Sequence, residues 1–174
     1  YELGSARAAI AGTKLADIRR STYVKPGVEV HLGARAIVPG RTGTLEFSIL
    51  LPRMVFADRE DASFASMQFK TTWFDDRYVA GNAERIEIRF NLPSGSRPEE
   101  VKYHDFSGGH EPSEMFLEED RVVYRWLWLD RPATGPYAAG ASFPRNLVAG
   151  VSVPPRRSIL KSAAAVFFAL VAFI

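Results

Sequence analysis

The stretch HDFSGGHE places His104, Asp105, His110 and Glu111 close together, with Gly108-Gly109 to fold one end onto the other. Imidazole and carboxylate are suitable ligands for zinc and related metals. His104 and His110 are therefore the metal candidates, although their spacing matches no established ligand pattern and a solvated loop is the plainer reading. Two acidic groups stand elsewhere, Asp75-Asp76 and the set Asp58, Glu60 and Asp61. Paired carboxylates cleave glycosidic bonds only at a set separation across a cleft. Asp75 and Asp76 would point to opposite faces of a strand, so they read as the start of a turn. Gly140-Ala141-Ser142-Phe143-Pro144 approaches a nucleophile elbow but lacks its final glycine. There is no cysteine and no phosphate-binding glycine loop. The expectation is a protein that is not an enzyme and takes no cofactor.

The aromatic residues offer binding rather than chemistry. Trp73, Tyr124, Trp126 and Trp128 suit either a packed core or stacking on sugar rings. With Phe106 and Phe116 from the stretch Phe106–Asp120, Trp73, Trp126 and Trp128 form the expected partner- or ligand-binding set.

Positioning these residues is a task for strands. VEVHL, TLEFSILL, MQFKTTW and ERIEIRFNL alternate apolar and polar residues, as strands with one buried and one wet face require. EVKYH and Tyr137–Phe143 are shorter candidates. RVVYRWLWLD is apolar on both faces, with Tyr124, Trp126 and Trp128 on one and Val123, Leu127 and Leu129 on the other. Such a strand is central or covered by a partner. Pro26-Gly27, Pro39-Gly40, Gly81-Asn82, Pro93-Ser94-Gly95 and Gly108-Gly109 punctuate the runs. About seven short strands without helical alternation predict an all-β, immunoglobulin-like antiparallel sandwich over residues 23–153. Residues 1–22 read as a loosely attached arm with a weak helical pattern at Ala6–Arg20. Arg53–Ala65 and Phe106–Asp120 read as loops.

The closing residues 154–174 read as a basic linker and the start of a membrane helix. Its anchoring side chains are Ile159, Leu160, Val166, Phe167, Phe168, Leu170, Val171 and Phe173. The run is apolar around its whole circumference, unlike a helix packed on a sheet. As a helix, Ser162–Ile174 would reach only about 20 Å of the ~30 Å that a bilayer core requires. The expectation is thus a span that continues past Ile174. Arg156, Arg157 and Lys161 on the domain side favour a cytoplasmic domain. The sandwich and a start at Tyr1 favour the extracytoplasmic side, which is the one expected.

The stretches TTWFDDRYVAGNAERIEIRFNLPSG, RVVYRWLWLD and GASFPRNLVAG together resemble single-pass bacterial membrane proteins of unknown function with a β-sandwich ectodomain. The resemblance covers residues 66–174 and implies the architecture alone. Apolar residues make up 47% and charged residues 24%, which excludes disorder over the whole length. A net charge of +2, with both signs mixed along the chain, excludes a nucleic-acid stripe. The function expected is a membrane-anchored scaffold or accessory subunit, with other subunits of a complex and the bilayer as partners. A carbohydrate or envelope-ligand module is the second reading, and a metal-assisted hydrolase is the third.

Overall fold

The computed structural model describes residues 1–23, 27–38, 40–70, 81–105, 111–132, 135 and 137–152. The chain divides into two compact units, Tyr1–Met54 and Val55–Ile174.

The first unit begins with β1 (Glu2–Ile10), β2 (Thr13–Leu15) and β3 (Ile18–Arg20), where an arm with a helical pattern was expected. The period of two is present, but the inward residues are Ala6, Ala8 and Ile10, and alanine gives it little contrast. Ala11 and Gly12 both have positive φ and close a two-residue hairpin between Ile10 and Thr13. That conformation matches the twist of the flanking strands. β4 (Val28–Val30) pairs with β3, and β5 (Leu45–Leu50) pairs with β1 to give the order β2-β1-β5. The β1–β5 register shifts between Glu2 and Arg7. Ser5 sits in this irregularity, where its hydroxyl donates to the Glu2 carbonyl at 2.7 Å and accepts the Leu50 N–H at 2.8 Å.

The second unit contains β6 (Val55–Ala57), β7 (Phe64–Lys70), β8 (Asn82–Asn91), β9 (Lys102–Tyr103), β10 (Glu114–Glu118), β11 (Arg121–Pro132) and β12 (Ala138–Pro144). They form two antiparallel sheets of order β10-β11-β8 and β6-β7-β12-β9. Ile88, Phe90, Tyr124, Trp126 and Trp128 from the first sheet meet Ala65, Ala139, Ala141 and Phe143 from the second in one core. In the β8–β11 ladder Tyr124 stands opposite Phe90, Trp126 opposite Ile88 and Trp128 opposite Ile86, so the alternation of both strands converges on that core. Phe90 meets Trp126 edge to face at 5.4 Å.

The second face of β11 is not a bare apolar surface. Val123 is fully buried, Leu127 is half-buried and only Leu129 is exposed. Around them run charged side chains: Arg85 bonds Glu87, Arg89 bonds Glu118, and Arg125 bonds Glu114 at 2.5 Å. The Arg89 guanidinium also lies over the Phe116 ring. Long stems of this kind cover apolar surface while their heads stay in water.

The all-β expectation holds, with several antiparallel sheets consistent with a β-sandwich. The closing transmembrane helix is not supported. The described residues contain no α-helix, only short 3-10 turns, and none is long and apolar enough to cross a membrane. Ile159, Leu160, Val166, Phe167, Phe168, Leu170, Val171 and Phe173 lie outside the described residues.

Candidate functional site

The sheet β6-β7-β12-β9 has one face in the core and one turned outward. On β12, Ala139, Ala141 and Phe143 point inward, which leaves Gly140 and Ser142 on the outer face. Cross-strand register brings Ser66 and Lys102 beside Ser142, and Gln68 beside Gly140. His104 follows β9 and donates its backbone N–H to the Gly140 carbonyl at 2.9 Å, so its ring comes over the same face. The loop after β6 completes the wall. The result is a cleft of about 710 Å³ with a floor of strand residues and a rim of Arg59, Glu60, Asp61 and Asp105.

One hydrogen-bonded chain crosses the floor. The Ser142 hydroxyl donates to Asp58 Oδ2 at 2.7 Å. Its oxygen accepts from His104 Nε2 at 2.8 Å, and His104 Nδ1 accepts from the Gln68 amide at 3.2 Å. The network thereby assigns the proton of the neutral ring to Nε2. Asp58 is half-buried, and its other oxygen accepts the backbone N–H of Glu60 at 2.9 Å and of Asp61 at 3.3 Å. Asp61 repeats the pattern on Ser63, with its Oδ1 accepting the backbone N–H at 2.9 Å and the hydroxyl at 2.6 Å. These side-chain bonds hold the Asp58–Ser63 loop in one shape.

The electrostatics follow from these contacts. Asp58 is held below the usual carboxylate range, chiefly by the Ser142 hydroxyl and then by the two loop amides, against the opposing effect of burial. His104 is pushed down by burial, with Asp58 and Glu60 pulling the other way, so the neutral ring is favoured. The Tyr103 phenol beside it is pushed up, first by its hydrogen bond to Glu111.

This wiring differs from that of a nucleophilic triad. A triad needs the serine proton directed at a basic ring nitrogen and the carboxylate behind the ring. Here the serine proton points at a carboxylate of reduced basicity, the ring donates to the serine, and Ser142 is only 4% exposed.

Of the binding set, Trp126 and Trp128 are 1% and 6% exposed, with their rings in the core. Neither can stack on a ligand unless the core opens. Phe116 is half-buried beneath Arg89 on the outer face of β10, while Trp73 and Phe106 lie outside the described residues. Of the metal candidates, His104 is in the cleft and His110 lies outside the described residues, as do Asp75 and Asp76. Among the described residues, no group of three or more His, Asp or Glu side chains is arranged to hold a metal. Asp58, Ser142 and His104 each draw notice in the sequence, but nothing there joins them. Gln68 and Lys102 read only as polar positions on strands.

A second feature recurs in both units. In the first, Leu45 and Phe47 on the edge strand β5 share a face with buried Ile10 and Ala8, yet they are 45% and 44% exposed. In the second, Met115 and Leu117 on the edge strand β10 share a face with buried Tyr124 and Val122, yet they are 48% and 60% exposed. In each unit the apolar face is thus exposed at an edge strand.

No family model, curated protein or solved structure matches the chain.

Proposed function

We propose that this protein works without catalysis, as a docking or accessory subunit of a larger protein assembly built on an immunoglobulin-like sandwich. The observation that carries the reading is the pair of uncovered apolar edges, Leu45 with Phe47 on β5 and Met115 with Leu117 on β10. Contiguous exposed apolar surface marks interaction sites. Fully burying a Leu, Phe or Met side chain is worth about 1.5–3 kcal/mol, so covering the exposed half of each is worth about 1 kcal/mol. An edge strand also offers main-chain groups for pairing with a neighbour. The Asp58–Ser142–His104 wiring supports the non-catalytic part of the reading, since the hydroxyl proton is directed at a carboxylate of lowered basicity and not at a ring nitrogen.

The test is crosslinking and copurification of the full chain from its native source, set against a Leu117→Ser variant. The expected result is a defined set of partner polypeptides that is lost or reduced in the variant, while the melting temperature of the variant is unchanged. A protein that runs as a strict monomer and copurifies with nothing sinks the proposal.

A further inference from the structure

We infer that the cleft over the outer face of the second unit's four-stranded sheet is a binding site for a neutral, polyhydroxylated ligand, a short saccharide. Its volume of about 710 Å³ falls within the range of small-molecule sites, and its floor is fixed before any ligand arrives. Asp58, Ser142, His104 and Gln68 satisfy one another in a single chain, so entry of a ligand need not order them.

The rim sets the ligand class. Glu60, Asp61 and Asp105 offer acceptors, whereas Gln68, Lys102 and Arg59 offer donors, all on exposed side chains. A sugar hydroxyl both donates and accepts, so it can use the two kinds together. An anion would meet the rim carboxylates and Asp58 at close range, where like charges repel. A cation would meet the Lys102 ammonium, which already stands 4.5 Å from the centre of the Phe64 ring, and the Arg59 guanidinium on the rim. Phe56 lines the same cleft and supplies an apolar surface for the C–H face of a pyranose. The carbohydrate reading of the sequence thus moves from Trp126 and Trp128, which are in the core, to the outer face of a different sheet.

The experiment is calorimetric titration of the full chain with cellobiose, maltose, chitobiose and mannobiose at millimolar concentration, with spermidine as a cationic control. The His104 ring signals are followed by NMR to locate binding. Support is saturable binding of at least one disaccharide that shifts the His104 signals and weakens at least tenfold in Gln68→Ala and in Glu60→Gln. Both positions are exposed, so neither variant disturbs the core. No saturable binding across the panel overturns the inference. So does binding that both variants leave unchanged, or spermidine binding that displaces the sugar.

Discussion

Replacing Ser142 with alanine tests the polar floor of the cleft directly. The hydroxyl makes two bonds, one to an ionised carboxylate at 2.7 Å and one from an imidazole at 2.8 Å. A hydrogen bond to a charged group contributes roughly 1.5–3 kcal/mol net, and a neutral one roughly 0.5–1.5 kcal/mol. Asp58 is only half-buried and water can replace part of its lost bond, so the lower end applies and the sum is about 2 kcal/mol. Alanine leaves almost no cavity, so no packing loss adds to this. For a unit of this size that corresponds to a fall in melting temperature of about 8 °C. Urea unfolding followed by tryptophan fluorescence reads it cleanly, because Trp73, Trp126 and Trp128 all belong to the second unit.

The pH dependence supplies a second, independent check. The Asp58 carboxyl is lowered in the folded state, first by Ser142, so its stabilisation is complete above the ordinary carboxylate value near pH 4 and is lost as pH falls through the lowered value. Without the hydroxyl, the Asp58 pKa moves back up. The gap between wild type and Ser142→Ala is therefore full at pH 7 and shrinks below about pH 4. A destabilisation under about 0.5 kcal/mol, or a gap that stays constant from pH 7 to pH 3, would refute the reasoning, because the carboxylate would then not depend on that bond.

Further outcomes follow from single contacts. His104 is lowered by burial, so its contribution is complete above about pH 6.5 and falls as pH drops through its folded value. His104→Gln should flatten the urea midpoint between pH 7 and pH 5 relative to wild type. The buried Ser96 hydroxyl accepts the Val122 N–H at 2.9 Å. Ser96→Ala orphans that donor in the core and should cost about 2 kcal/mol by urea unfolding. Ala11 sits at φ 46° in the β1–β2 hairpin, so Ala11→Asn creates the Asn-Gly pair that this turn favours. It should stabilise the first unit by about 1 kcal/mol, read as slower amide exchange in β1.

Legibility in the sequence followed contrast. The strands at β5, β7 and β8 are readable because large apolar residues alternate with polar ones, and β11 is readable as a dense apolar run. The core partners Phe90 and Trp126 lie on the faces these patterns imply. β1 reads as an arm because its buried positions are mostly alanine, which carries the period without the hydrophobic signal. β6 and β10 lie within stretches read as loops, since three or five residues are too few to show a period. The double apolarity of β11 reads as a strand that is central or covered, and β11 is the central strand of its sheet. Arg85, Arg89 and Arg125 arrive from their own and neighbouring strands to cover it, and a single strand cannot show its neighbours. The cleft was illegible for the same reason. Asp58 and Ser142 are 84 residues apart and Gln68 and His104 are 36 apart, so only the pairing of β6, β7, β12 and β9 makes them neighbours.

The second unit keeps its two candidate surfaces on different sheets. The cleft occupies the outer face of β6-β7-β12-β9, whereas Met115 and Leu117 lie on the inward-facing side of β10, at the edge of the other sheet. A partner that covers Leu117 therefore has no need to displace a ligand bound over Ser142. The network itself argues for this separation. A polar chain as fully bonded as Asp58–Ser142–His104–Gln68 is stable facing water, and so needs no protein cover. Leu117, at 60% exposed with Met115 at 48% beside it on the same face, has no polar substitute for that cover. The two surfaces then call for two kinds of occupant: a wet one over the serine, and a dry one at the strand edge.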